Sequence, residues 1–181
     1  MNLCHTARLA ALAVVVALIF SSPVRALDDG LSISSPAFAN KGQMPPRFAR
    51  AHDNISPPLL IQATKSGPFA SKSFVLILDD PDAPSGLFTH WLVWNIQAQP
   101  QTIAEGQVPA GAVQGKNSAG DTHYDGPRPP NGRHRYFFHL YGLDTVLSLP
   151  AGSDRVALEA AMKGHVVATA PKFYGTFATG Q

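Results

Sequence analysis

The sequence predicts a mostly-β domain, a β-sandwich with one late helix, and three observations carry that expectation. Turn residues recur along the whole chain. The 15 Gly and 16 Pro punctuate short apolar segments, which is the pattern of many strands joined by irregular loops. Three of those segments, Phe74–Leu78, Trp91–Ile96 and Arg135–Tyr141, are rich in β-branched or aromatic residues and apolar on both faces. Strands of that kind sit centrally in a sheet and are covered on both sides. One stretch near the C-terminus favours helix instead.

From the N-terminus, Arg8 and the free amine form a positive region ahead of an unbroken apolar run, Leu9 to Phe20. The run is shorter than the roughly 18 residues a membrane span needs. Pro23 breaks it, and Val24-Arg25-Ala26 offers a signal-peptidase site. Residues 1–26 are therefore expected to be a signal peptide, with the mature domain covering 27–181 in the periplasm or outside the cell. Arg8 and Arg25 leave with the signal, so the remaining chain is formally neutral. With no basic run, nucleic acid and anionic membrane surfaces are poor partners, and any bound anion must be held by a local site. Cys4 is the only cysteine and precedes the apolar run, so the mature chain lacks both thiolate catalysis and cysteine-ligated zinc.

No repeat, low-complexity tract or linker divides the remainder, whose length suits one domain. Val156–Lys163 (VALEAAMK) is the expected helix. Ser153 or Asp154 can cap it and Gly164 follows as its stop signal. Leu158, Ala161 and Met162 share a face that should pack on the sheet.

Polar chemistry concentrates in two segments at the ends of buried strands. The first is Asp79 to Trp91, DDPDAPSGLFTHW. Its prolines exclude helix and central strand around Asp80–Pro84. The plainer uses of its residues are an Asp–Pro turn for Asp80 and Asp82 and a carbonyl-bonded core histidine for His90. The second is Tyr124 to Tyr136, YDGPRPPNGRHRY. Gly126 and Gly132 permit close backbone approach there, while Pro127, Pro129 and Pro130 stiffen the loop. His134 and Tyr136 stand two apart at a strand start, so they face the same way.

Taken together, these motifs resemble the phosphatidylethanolamine-binding protein family, also called Raf kinase inhibitor-like proteins, and within it the bacterial YbhB/YbcL branch. The matching pieces are Ser56-Pro57-Pro58-Leu59, Asp80 to Pro84, His90-Trp91, Asn117, Gly126 to Tyr136 and Met162-Lys163-Gly164-His165-Val166. The resemblance implies an antiparallel β-sandwich with an anion pocket at one end and the C-terminal segment beside it. It assigns the pocket to Asp80, His90, Pro130, His134 and Tyr136, with Asp82 as a second aspartate. It implies no cofactor. The expected ligand is phosphate or a phospholipid head group, and the resemblance is compatible with inhibition or regulation of a partner protein and with a homodimer. One stretch departs: Ala49-Arg50-Ala51-His52 stands where many bacterial relatives carry a small acidic turn.

The chemistry of such a pocket follows from its side chains. Two imidazoles and a phenol supply N–H and O–H donors that bond an anion strongly when charged or pre-oriented. A carboxylate beside them can fix an imidazole tautomer and favour its cation, or accept from a protonated ligand or an ammonium. The competing reading is a metal-dependent hydrolase using Asp80, Asp82, His90 and His134, since these residue types suit zinc or manganese. Neither an H-E-x-x-H helix nor a G-x-S-x-G elbow accompanies them. Within the first loop, Ala83–Pro84 is the expected cis peptide, from its place between Pro81 and Ser85-Gly86 together with the family resemblance.

Overall fold

A computed structural model describes residues 30–63 and 71–180; the expected signal peptide, its cleavage site and Cys4 lie outside them. The described chain forms nine strands and one α-helix. In order these are β1 (Ser32–Ser34), β2 (Leu59–Gln62), β3 (Ser73–Asp80), β4 (Phe88–Gln97), β5 (Gln101–Ile103) and β6 (Val113–Gln114). They are followed by β7 (Arg133–Leu143), α1 (Arg155–Met162), β8 (Val166–Thr169) and β9 (Phe173–Ala178). A small sheet has the order β1-β2-β5, and a large one runs β6-β4-β3-β7-β8 with β9 also paired to β7. Every ladder between these strands is antiparallel.

The side-chain alternation of β3 explains the layering. Phe74, Leu76 and Leu78 enter one core cluster, shared with Leu59 and Ile61 of the small sheet. Val75 and Ile77 enter a second cluster with Leu158 and Met162 of α1. The large sheet is thus the middle layer, with the small sheet on one face and the helix on the other. That is why its central strands read as apolar on both faces. The helix begins one residue earlier than expected. Asp154 caps it by accepting from Ala157 N–H at 2.9 Å, and Gly164 follows with φ +83°. Leu158 and Met162 are buried, and Ala161 packs at their edge.

The three recognised strands are longer than their apolar centres, and the extensions carry the polar residues. Asp80 is the last residue of β3, His90 lies inside β4, and His134 is the second residue of β7. Between β3 and β4 the register shifts. Leu78 pairs with Trp91, but Asp79 pairs with Thr89, which leaves His90 as the extra residue of a β-bulge. A regular ladder would send His90 toward α1 with Leu92 and Trp94; the bulge keeps it on the face of Trp91.

The Ala83–Pro84 bond is trans, as are all peptide bonds among the described residues, so the expected cis peptide is corrected. Pro84 instead takes the second position of a turn in which Gly86 N–H donates to the Ala83 carbonyl at 2.9 Å. A trans proline presets the φ that this position needs, so the chain reverses without isomerisation.

Candidate functional site

Three strand ends, of β3, β4 and β7, and two loops meet at one end of the large sheet. They enclose a cavity of about 130 Å³ lined by Asp80, Phe88, His90, Asp125, Arg128, Pro130 and His134, with Ala83, Pro84, Ser85 and Gly126 completing the wall. The polar core is a buried pair, with His134 Nδ1 2.7 Å from Asp80 Oδ2. The other Asp80 oxygen accepts from Asp82 N–H at 2.8 Å, which fixes the carboxylate plane. Both oxygens are therefore engaged before any ligand arrives.

His90 is held differently. Its Nδ1 lies 2.6 Å from the Asp125 carbonyl oxygen, and its own carbonyl accepts from Asp125 N–H at 3.0 Å. This two-way tie fastens the second loop to β4. Phe88 and Tyr136 flank the ring, with centroids 4.7 Å and 5.2 Å away, the latter edge-on. Burial pushes the His90 pKa below the usual imidazole value, against the opposing pull of the Asp125 carbonyl and of the Asp125 and Asp80 charges. Neither His90 Nε2 nor His134 Nε2 has a protein hydrogen-bond partner among the described residues.

Of the six residues expected from the sequence, Asp80, His90, Pro130 and His134 line the cavity together. Tyr136 is fully buried behind His90, and among the described residues no group meets its hydroxyl at full hydrogen-bond geometry. Burial, and then the Asp80 carboxylate, push that phenol far above its ordinary pKa. Asp82 turns away from the cavity into an adjoining open groove. It accepts from Arg135 Nε and backbone N–H at 2.9 Å each and from Nη2 at 2.6 Å. The Arg135 hydrogen bond holds the Asp82 pKa below the usual carboxylate range. No group of three or more His, Cys, Asp or Glu side chains stands at metal-holding spacing among the described residues.

Asp125, Arg128 and Phe88 join the lining without having been singled out. Asp125 and Arg128 sit within the proline-rich segment already noted, but nothing in their spacing distinguishes a cavity residue from a loop residue. The departure at residues 49–52 gains a role. Arg50 Nη1 lies 2.6 Å from Asp125 Oδ1, so this basic residue answers a carboxylate in the pocket wall. Gly126 makes that approach possible, since a Cβ there would run into the Phe48 carbonyl and stand 2.8 Å from Arg50 N. Gly132 serves otherwise: it has open space around it but φ +64°.

Residues 34–177 match the family model described as phosphatidylethanolamine-binding protein. A UPF0098 protein of Methanothermobacter thermautotrophicus is 43% identical over 155 residues, covering 83% of this chain and 100% of the relative. The crystal structure of a phosphatidylethanolamine-binding protein homolog from Chlamydia trachomatis superposes with a TM-score of 0.76 at 38% identity. That match covers 83% of this chain and 99% of the other. Escherichia coli YbcL, described as a member of the mammalian family, gives a TM-score of 0.74 at 25% identity over 82% of this chain and 98% of its own. With the fold, the ordered motifs and these matches in agreement, the chain belongs to the phosphatidylethanolamine-binding protein family.

Proposed function

We propose that this chain is an exported binding protein, without catalytic activity of its own, that holds a small anionic group such as phosphate or a phospholipid head group. The observation that carries the reading is the pair of unpartnered imidazole Nε2 atoms on one small cavity, each ring locked from behind through Nδ1. Asp80 is answered by His134 and Asp125 by Arg50, while Arg128 has no ion pair among the described residues. The site therefore carries a surplus of positive charge whenever His134 is protonated, although the chain as a whole has little. A cavity of about 130 Å³ suits a tetrahedral oxyanion and not an acyl chain. The proline-stiffened loops and fixed side chains reduce the ordering cost of binding. Export rests on the apolar N-terminal run and the cleavage site after Ala26.

Calorimetric titration with inorganic phosphate, with and without a chelator, tests this reading. One saturable site per chain, indifferent to the chelator, is the expected result. Absence of binding contradicts it, and binding abolished by the chelator transfers the site to metal chemistry.

A further inference from the structure

Asparagine amides are among the thermally labile groups of a protein. Their carbonyl carbon is attacked most readily where the next backbone nitrogen belongs to a glycine, because no Cβ obstructs its approach. The described asparagines divide sharply on this point. Asn40 donates to the Lys172 carbonyl and accepts from Tyr174 N–H. Asn54 accepts from Gly126 N–H. Asn95 bonds both polar groups of the Leu147 backbone. Asn117 donates to the His123 carbonyl and accepts from the N–H groups of Ala119 and Asp121. The side chain of Asn131 is exposed and bonds to no described residue.

The attacking nitrogen divides the same way. Asn40, Asn54, Asn95 and Asn117 precede Lys41, Ile55, Ile96 and Ser118, whereas Asn131 precedes Gly132. At buried Asn117 the next nitrogen is occupied, since Ser118 N–H donates to the Thr89 carbonyl at 2.9 Å. Gly132 N–H donates to no described group, and the space around the residue is open. An amide carbon and a free nitrogen thus stand next to each other in one exposed loop, with nothing holding them apart.

We propose that Asn131 is a modification site, at which the folded chain deamidates through a cyclic imide. The Gly132 nitrogen bonds to Asn131 Cγ, the Cγ–Nδ2 bond breaks, and the amide departs as ammonia with the proton that Gly132 loses. Water then opens the ring at either carbonyl, leaving aspartate or isoaspartate. Both products bring a new carboxylate to the open groove that Asn131 lines with Asp82, Arg133, His134 and Arg135. Arg133 has no carboxylate partner there among the described residues and meets only Thr176 Oγ1, at 3.4 Å. The isoaspartyl product also lengthens the backbone by one carbon. That carbon must fit between two carbonyls held by Thr179, Pro129 through Oγ1 at 3.2 Å and Gly132 through N–H at 2.9 Å. The inference does not depend on the anion-binding reading.

The test is incubation of the full chain at mildly alkaline pH, followed by peptide mapping with mass spectrometry and enzymatic methylation of isoaspartate. A second sample is held in denaturant, where both asparagines are free of the fold. In the folded chain Asn131 should lose its amide at least about tenfold faster than Asn117, with isoaspartate among its products. Denaturation should narrow that ratio by releasing Asn117. Asn131→Gln, whose ring closure is less favourable, should keep its amide over the same period. Retention of the Asn131 amide in the folded chain while the denatured chain converts would overturn the proposal, because the loop then protects it. Equal loss at Asn117 in the folded chain would overturn the selectivity, and aspartate without isoaspartate would overturn the cyclic route.

Discussion

Asp79 and Asp80 are consecutive residues at the end of β3 and serve opposite faces of the large sheet. Asp80 points to the cavity and holds His134, while Asp79 points to the helix layer and holds Arg155 of α1. Thr89 repeats the arrangement one strand away. It precedes His90, donates to Asp79 Oδ1 at 3.0 Å and accepts from Arg155 Nη1 at 2.9 Å. The alternation of the β-strand, which elsewhere divides two apolar cores, here divides a binding site from the ion pair that braces it.

Arg155→Ala should cost on the order of 3 kcal/mol of stability, because it leaves the buried Asp79 carboxylate with only Thr89 and a His139 ring nitrogen 3.5 Å away. Asp79→Asn should cost less, since Arg155 is partly exposed and keeps Glu159 as a partner. Chemical denaturation of both variants gives the comparison. Equal losses would show that the carboxylate does not depend on the guanidinium.

Stability should fall as pH drops below about 6.5, the ordinary imidazole value. His90 is buried in its neutral form with its pKa pushed down, so the unfolded chain takes up a proton first. Unfolding then gains up to about 1.4 kcal/mol per pH unit until the folded-state pKa is passed. His139, lowered chiefly by burial, contributes with the same sign. His90→Phe should therefore flatten part of the slope and not all of it. Denaturation midpoints across this range test the sign, and stability that rises on acidification would contradict it.

Gly126→Ala and Gly132→Ala separate two uses of glycine in one loop. At Gly132 the new methyl meets open space, and the cost is the positive φ alone, about 1–2 kcal/mol. At Gly126 it collides with the backbone of Phe48 and Arg50, so the second loop must lift off the residue 48–50 segment. The second variant should lose clearly more stability, together with the Arg50–Asp125 contact. Comparable thermal denaturation of the two would show that the approach is not tight.

Asp82→Ala should leave phosphate affinity within about twofold and reduce stability by no more than about 1 kcal/mol, because its partner Arg135 is an exposed side chain outside the cavity. A large loss of affinity in calorimetry would return Asp82 to the binding residues.

The central strands and the helix were legible because burial on two faces and a capped amphipathic turn leave direct compositional marks. The strand ends were not. Asp80, Thr89 and His90 are polar and lie beside proline-rich turns, so they read as loop although β3 and β4 extend through them. The bulge that turns His90 toward the cavity leaves no trace in composition, because it depends on a register between strands. The cluster of Asp80, His90 and His134 was visible only as a family motif. The positions of Asp82 and Tyr136 relative to the cavity needed coordinates, since two residues of spacing set a side chain's face and not its partner. Short strands such as β5 and β6 carry too few residues for any periodicity.

Imidazole nitrogen NMR of the ¹⁵N-histidine-labelled chain, recorded during addition of inorganic phosphate, tests the central claim most directly. The sequence holds 7 histidines, and the proposed ligand meets two of them. The Nε2 resonances of His90 and His134, assigned through single substitutions, should move saturably while those of His139 and His165 stay in place. Movement confined to His139 or His165, or no movement at saturating phosphate, would contradict it.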